Sequence, residues 1–528
     1  MQLTQGLHRS LQITPDRTAT VHGARIRTFH QQADRVARLA SGLHALGVGV
    51  GDRVGILALN SDRYAEYLLA VPWAGAVLNP VNVRWSVAEV AYAINDSATC
   101  CLLVDDAFVP IAEELRQRCP DLRSLVYCGE ELLPDGMVDY EELVAAHRPI
   151  SDACRGGDDL AGLFYTGGTT GFPKGVMLSH RNLVTSSLGF LATRQGLQEE
   201  SVLLHAAPMF HLAGLSGWAT QVLLGGTHVM IPAFKADAVW AAVHDYQVTD
   251  LLLVPTMIQM LIDAAERPDY DVSSLQNILY GGSPISEALV SRVMRLLPNV
   301  KLTQVYGMTE AAPVVSVLAH RDHRGHRLKS AGRGAPHTQI MIIDQSGDVA
   351  PVGTVGEICV RGDHVMGGYW NRPDETASVL VDSWYRTGDA GYLDAEGFLY
   401  VVDRIKDMII TGGENVYSAE VENALSTHPS VAAAAVIGLP SDQWGERVHA
   451  VVVAAPNTQI DLAELQTHVR ARLANYKVPR SVEVIDQLPL SGAGKVLKRQ
   501  LREEILSRLA KPGSQHSMGA LPPDYVHK

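Results

Sequence analysis

The chain has no cysteine pair at redox or zinc spacing. Its six cysteines, Cys100, Cys101, Cys119, Cys128, Cys154 and Cys359, lack any C-x-x-C arrangement and any histidines at ligand distance. That excludes a disulfide scaffold and a zinc ribbon, and predicts reduced packing residues. Long apolar runs are equally scarce. The most apolar segment, Leu68 to Leu78, is interrupted by Pro72 and falls short of the ~20 residues a membrane helix needs. The N-terminal stretch MQLTQGLHRSLQITPDR has no apolar core of the secretory kind, so a cytoplasmic location is expected, with peripheral membrane contact left open. Positive charge is also short: 44 Lys and Arg against 57 Asp and Glu give −13, which argues against nucleic acid as a partner. Any anionic ligand has to be held by local charge.

What is present is an ordinary globular composition, 47% hydrophobic and 19% charged, over 528 residues, too long for a single core. Short apolar runs such as Arg53 to Leu59, Cys101 to Val104 and Leu251 to Val254 read as buried strands. Between them, Thr28 to Leu46 and Glu287 to Leu297 repeat apolar residues at three and four, so the first fold expectation is α/β. Dense Gly, Pro and Asp punctuation from Ser346 to Gly397 predicts hairpins and a β-rich subdomain. A charged linker near Asp403 then opens a smaller α/β unit that begins close to Lys406 and contains a strand at Ala432 to Ile437. The tail from Lys511 reads as disordered.

The least ordinary stretch is YTGGTTGFPKGVMLSH, Tyr165 to His180, which reads as a loop between a strand and a helix. Successive glycines let backbone N–H groups converge on one point, making an anion cradle. Thr166, Thr169 and Thr170 add hydroxyl donors, and Lys174 adds a mobile cation. It is no Walker A loop, since Lys174 lies between Pro173 and Gly175, and the GxGxxG dinucleotide pattern is missing there too. A solvated surface turn is the plainer alternative.

YTGGTTGFPKG resembles the signature loop of the adenylate-forming (ANL) superfamily: acyl-CoA synthetases, luciferase and peptide-synthetase adenylation domains. Gly167 stands where the family commonly has serine. Further motifs follow in the family's order: MFHLAG from Met209, GGSPIS from Gly281, YGMTE from Tyr306, YRTGD from Tyr385, DRIKDMIITGGENVYSAEVE from Asp403 and GAGKVLKR from Gly492. The resemblance covers roughly residues 10 to 505. It implies a large N-terminal α/β domain, 1–403, with stacked sheets and a β-rich subdomain. A hinge at 404–406, a small mobile C-terminal α+β domain at 407–510 and a disordered tail at 511–528 follow.

Each motif also has a reading of its own. A carboxylate at Glu310 beside a phosphate site suits a hard Mg2+ ion, although a Thr-Glu pair serves equally as a helix cap. Asp389 in a Thr-Gly-Asp turn suits ribose hydroxyls, or an Asx turn. Arg404 suits a nucleotide or a surface ion pair. The resemblance implies Glu310 as the metal carboxylate and Thr309 as the α-phosphate contact. It gives Thr166, Gly167, Gly168, Thr169, Thr170, Gly171 and Lys174 to the phosphates of ATP. Gly282, Ser283, Tyr306, Gly307, Asp389 and Arg404 complete the nucleotide site.

Lys495, on a glycine-flanked loop, becomes the catalytic lysine of adenylation, with Lys498 its nearby competitor. Lys406 becomes the pivot, and Gly412 with Gly413 the turn that lines a tunnel for coenzyme A, unless they form an ordinary hairpin turn. His211 gates the acyl site, or is a satisfied core histidine. Met209, Trp218, Met257, Tyr280, Gly282, Met308 and Ala311 to Val315 make an apolar acid pocket.

The aspartate that holds an α-amino group in peptide synthetases is not evident near Pro208 to Gly214. The expected activity is therefore ATP-dependent ligation of a fatty or aromatic carboxylic acid to the CoA thiol through an acyl-adenylate. Loading of a free-standing carrier protein is the alternative. A nucleotide sensor would have no need of Lys495, and luciferase-like oxidation is a remote alternative. No integral membrane segment is expected, and a homodimer is left open.

Overall fold

The computed structural model describes residues 1–167, 173–264, 270–490 and 496–509. Among these residues four sheets form. The first has nine strands, with Lys301–Gly307, Asn277–Gly281, Asp250–Leu253, Val202–His205, Thr227–Met230 and Thr18–His22 running parallel through its middle. Antiparallel strands close both of its edges. The second has eight strands built around Val77–Pro80, Arg53–Leu57, Thr99–Val104 and Ser124–Tyr127, again parallel. Central strands such as Thr99–Val104 and Asp250–Leu253 are mostly apolar because both faces are covered, as the sequence pattern predicts.

One apolar cluster lies between the two sheets. It joins Ile56, Leu78 and Leu178 of the second sheet to Ala19, Met230 and Val315 of the first. Helices Phe29–Ala45, Asp62–Trp73, His180–Ala192 and Leu212–Leu224 fill the space between. The first of these starts where the pattern places it. Thr28 accepts from the Gln31 N–H while the Gln31 side chain accepts from the Thr28 N–H, a capping box worth about 1 kcal/mol. Five cysteines are buried as expected; Cys154 is a correction, being exposed in the polar segment Asp152 to Asp159.

The turn-rich region forms a third, antiparallel sheet from Gln339–Ile343, Gly356–Arg361, Trp384–Leu393 and Leu399–Arg404, with Leu380–Val381 on its edge. The fourth sheet lies C-terminal to Lys406. Ile409–Thr411, Glu414–Val416, Val431–Ser441 and Gly445–Ala454 pair antiparallel, and Ser481–Val484 adds the parallel pair. That is an α+β arrangement, not the alternating α/β one read from residue pattern. The fold as a whole is α/β with stacked sheets, a β-rich subdomain and a smaller α+β part. Among the described residues no helix is long and apolar enough to cross a membrane.

Candidate active site

The glycine-rich loop is a correction to the strand–helix reading. Leu160–Thr166 pairs antiparallel with Lys174–Ser179, Thr166 opposite Lys174, so the loop closes a β-hairpin. The helix starts only at His180, with Ser179 as its cap. Met177 and Leu178 favour a helix by intrinsic preference. Ladder pairing on both sides wins, since Gly368–Tyr369 pairs with the other edge of Lys174–Ser179. Gly168, Thr169, Thr170 and Gly171 lie outside the described residues, as does Lys495.

The loop's ends are well anchored. Tyr165 Oη donates to Asp96 Oδ2 at 2.7 Å, and the Trp370 N–H donates to the Gly175 carbonyl at 2.7 Å. Lys174 is ion-paired with Glu375, and its Nζ stands 5.3 Å from the centre of the Tyr369 ring. The same Tyr369 donates from Oη to Glu310 Oε1 at 2.8 Å. Glu310 sits in the short 3-10 turn Thr309–Ala311, directly after strand Lys301–Gly307. Its carbonyl accepts from the Met366 N–H at 2.9 Å. Gly307 is obligatory here: a Cβ at this position would meet the Pro313 carbonyl oxygen at 1.6 Å.

A second set meets one residue earlier on the same strand. Tyr306 Oη donates to Asp389 Oδ2 at 2.6 Å, and Arg404 Nε pairs with Asp389 Oδ1 at 2.6 Å. Burial, reinforced by the Asp389 carboxylate, pushes the Tyr306 phenol well above its usual range, so it stays a donor. Asp389 lies within the long strand Trp384–Leu393, not in a tight turn. Gly388, at φ +70°, sits close to an irregularity in that strand's pairing, which the local sequence mimics as a turn.

The remaining expected residues divide. Gly282, at φ +83°, and Ser283 follow strand Asn277–Gly281 in the same sheet. His211 is the N-cap of helix Leu212–Leu224, its Nδ1 accepting from the Ala213 N–H at 3.4 Å. It is half-buried, unlike a core histidine. Met209, Trp218, Ala311, Ala312 and Val315 share the inter-sheet cluster, with Met308 packed against it. Met257 and Tyr280 belong to another cluster, and Tyr280 turns its hydroxyl to His323 Nε2 at 2.9 Å. Val314 belongs to a third. These residues thus divide among three packing clusters.

Lys406 is exposed in the turn Ile405–Asp407. Gly412 and Gly413 form an exposed hairpin turn at φ +60° and +83°; among the described residues a Cβ on Gly413 would meet nothing within 4 Å in this arrangement. Lys498, the competitor of Lys495, is committed elsewhere, donating to Ser418 Oγ at 2.6 Å and pairing with Glu422 at 2.7 Å.

Sequence reasoning missed Tyr369, Glu375 and the Asp96 anchor. GGYWNRPDET, Gly367 to Thr376, carried a signal: a glycine-flanked aromatic pair, then Pro373 at the first position of helix Pro373–Val379.

Comparison with known proteins identifies the family. The family model described as "AMP-binding enzyme" matches residues 7–370, and "AMP-binding enzyme C-terminal domain" matches 420–495. A feruloyl-CoA synthase from an Amycolatopsis species is 42% identical over 495 residues, 94% of this chain and 97% of that one. A fatty acid–[acyl-carrier-protein] ligase from Streptomyces coeruleorubidus is 38% identical, covering 93% of each chain. Among solved structures, the o-succinylbenzoate CoA synthetase of Bacillus subtilis in complex with its acyl-adenylate intermediate matches with a TM-score of 0.83 and 32% identity, over 94% of this chain and 97% of that one. With both family models matched in order and relatives covering nearly its whole length, the chain belongs to the AMP-binding enzymes of the adenylate-forming superfamily.

Proposed function

We propose that this chain is an AMP-forming acid–thiol ligase. It activates a fatty or aromatic carboxylic acid as acyl-AMP, releasing pyrophosphate, and passes the acyl group to the CoA thiol, releasing AMP. One observation carries the residue assignment: the segment Tyr306–Glu310 brings a buried carboxylate, Asp389, and a second carboxylate, Glu310, to neighbouring positions at one strand end. One suits ribose hydroxyls and the other a phosphate-bound cation.

Glu310 fits magnesium. It is a hard oxygen ligand whose Oε1 is held by Tyr369, and among the described residues no hydrogen bond or ion pair holds Oε2. Magnesium bound there with ATP neutralises charge on the phosphate oxygens. The chain's own residues then do the positioning. Asp389 and Arg404 hold the nucleoside, Lys174 leaves Glu375 for the departing pyrophosphate, and Thr309 faces the α-phosphate.

A carboxylate oxygen of the acid bonds to the α-phosphorus as the bond to pyrophosphate breaks. Lys495 offsets the charge that builds there, an assignment supported by the commitment of Lys498 to Ser418 and Glu422. In the second step the thiol, its proton lost, bonds to the acyl carbon and the bond to AMP breaks. The small domain turns about 404–406 between the steps, carrying Lys495 away and bringing the Gly412–Gly413 turn in. The exposed hairpin seen here supports an arrangement on the adenylation side.

The apolar type of the residues assigned to the acyl site, with half-buried His211 at the start of helix Leu212–Leu224, supports an apolar acid. The similarity to feruloyl-CoA synthase supports an aromatic one. A carrier protein is the second acceptor to consider, on the strength of the Streptomyces relative. Pyrophosphate release over a panel of aliphatic and aryl acids, with CoA, acyl carrier protein or neither, decides between them. Acid-dependent release and a thioester only with CoA are expected; thioester only on the carrier protein would reverse the acceptor.

A further inference from the structure

Tyr369 occupies a two-residue strand, Gly368–Tyr369, on the edge of the sheet that carries Lys174. It pairs with Val176, two residues beyond Lys174. That register makes Tyr369 and Lys174 diagonal neighbours on one face, the spacing at which an aromatic ring and a long side chain meet. The Lys174 Nζ accordingly stands 5.3 Å from the ring centre, while the phenol of the same ring donates to Glu310 Oε1 at 2.8 Å. Its backbone is fixed as well: the Tyr369 N–H donates to Thr376 Oγ1 at 2.9 Å, and the side chain is almost fully buried. One ring thus touches two groups from different parts of the chain that the nucleotide requires together.

We propose that Tyr369 is a positioning residue that sets the distance and orientation between the carboxylate of Glu310 and the ammonium of Lys174. The phenol holds one carboxylate oxygen so that the other faces the cation bound with ATP. The ring face keeps the ammonium near the phosphate path after it leaves Glu375. A bidentate swing of Glu310, or a retreat of Lys174 into solvent, is thereby prevented. The inference rests on the reading of Glu310 as the metal carboxylate and Lys174 as the phosphate cation.

The test uses the full-length protein and calorimetric binding of ATP, without acid or CoA, over a range of magnesium concentrations. Tyr369→Phe keeps the ring and removes one oxygen; it is expected to raise the magnesium concentration for half-maximal ATP binding about tenfold, the loss of one hydrogen bond to a charged group. Affinity for ATP at saturating magnesium should be unchanged. Tyr369→Leu removes the ring too and should weaken ATP binding at saturating magnesium about threefold further, the loss of a partly exposed cation–π contact. Should Tyr369→Leu fail to fold, the Phe variant still decides. Glu310→Gln is measured beside them. A shifted magnesium dependence in Glu310→Gln with a wild-type one in Tyr369→Phe overturns the inference alone. An unshifted dependence in both overturns the metal reading beneath it.

Discussion

Tyr306 and Asp389, 83 residues apart, are joined by a 2.6 Å hydrogen bond from the tyrosine hydroxyl to Oδ2. The contact ties the YGMTE segment of the large parallel sheet to the YRTGD segment of the antiparallel one. With Arg404 on Oδ1, it holds a buried carboxylate in one orientation.

Asp389→Ala is therefore expected to raise KM for ATP about a hundredfold, since it removes hydrogen bonds to a charged group and strands Arg404. Tyr306→Phe, which leaves the carboxylate in place, should raise it about tenfold or less. Steady-state kinetics at saturating acid and CoA reads both. Equal KM in wild type and Asp389→Ala is incompatible with a ribose role.

On the proposed assignment of Lys174 to the phosphates of ATP, its ion-pair partner Glu375 competes with them. Glu375→Gln keeps the shape of the side chain and removes the charge, and Glu375 is 40% exposed, so the ion pair is modest. KM for ATP should fall about two- to fivefold, matching a partly exposed pair of about 0.4–1 kcal/mol. A rise would mean that Glu375 orients Lys174 and does not restrain it.

Stability should fall in mild acid. His205 Nε2 and His228 Nδ1 lie 2.9 Å apart inside the protein; burial pushes His205 to about 3 and His228 well below its usual value. Burial also lowers His180 and His449 to about 4. The unfolded chain takes up these protons below about pH 6.5 and the folded one does not. Stability is then flat above pH 7 and declines from about 6.5 towards 4. Asp105 works the other way, because burial raises its carboxyl to about 6 and the folded form binds that proton first. Burial also raises the carboxyls of Asp250, Asp407 and Glu422, but it lowers His364 to about 3 and lowers His22, His323 and His337 as well, so the histidines outnumber the carboxyls. A Tm that stays level between pH 7 and 5 would refute the account, and a His205→Gln/His228→Asn double variant should show a shallower slope.

Gly413→Leu should harm thioester formation more than ATP–pyrophosphate exchange. At φ +83° the substitution strains the turn by about 1–2 kcal/mol. Among the described residues nothing within 4 Å meets a Cβ there in this arrangement, so adenylation should survive. The two half-reactions are measured separately, and equal losses would show that the turn acts only through stability.

Much of this was legible in the sequence because its signals are local. The buried parallel strand Thr99–Val104 is apolar from Cys100 onward, and the apolar spacing of Thr28 to Leu46 matches helix Phe29–Ala45. The motif order identified the superfamily. What stayed hidden depends on distant pairing. Lys174–Ser179 becomes a strand because Leu160–Thr166 and Gly368–Tyr369 flank it, and Asp389 lies in a strand although its Thr-Gly-Asp context reads as a turn. Tyr369 acquires its significance only through Glu310, 59 residues away, and Lys174, farther still. The environment of Tyr280 was hidden for the same reason: hydrophobic type alone could not tell that its hydroxyl faces His323.

The central claim, a two-step reaction whose first half depends on a lysine of the C-terminal region, is tested most directly with Lys495→Ala. Acid-dependent ATP–pyrophosphate exchange should drop at least about a hundredfold, in the range of removing one preorganised group that stabilises transition-state charge. Synthetic acyl-adenylate supplied with CoA should still be converted to thioester at close to the wild-type rate. Unaltered exchange in this variant would contradict the account.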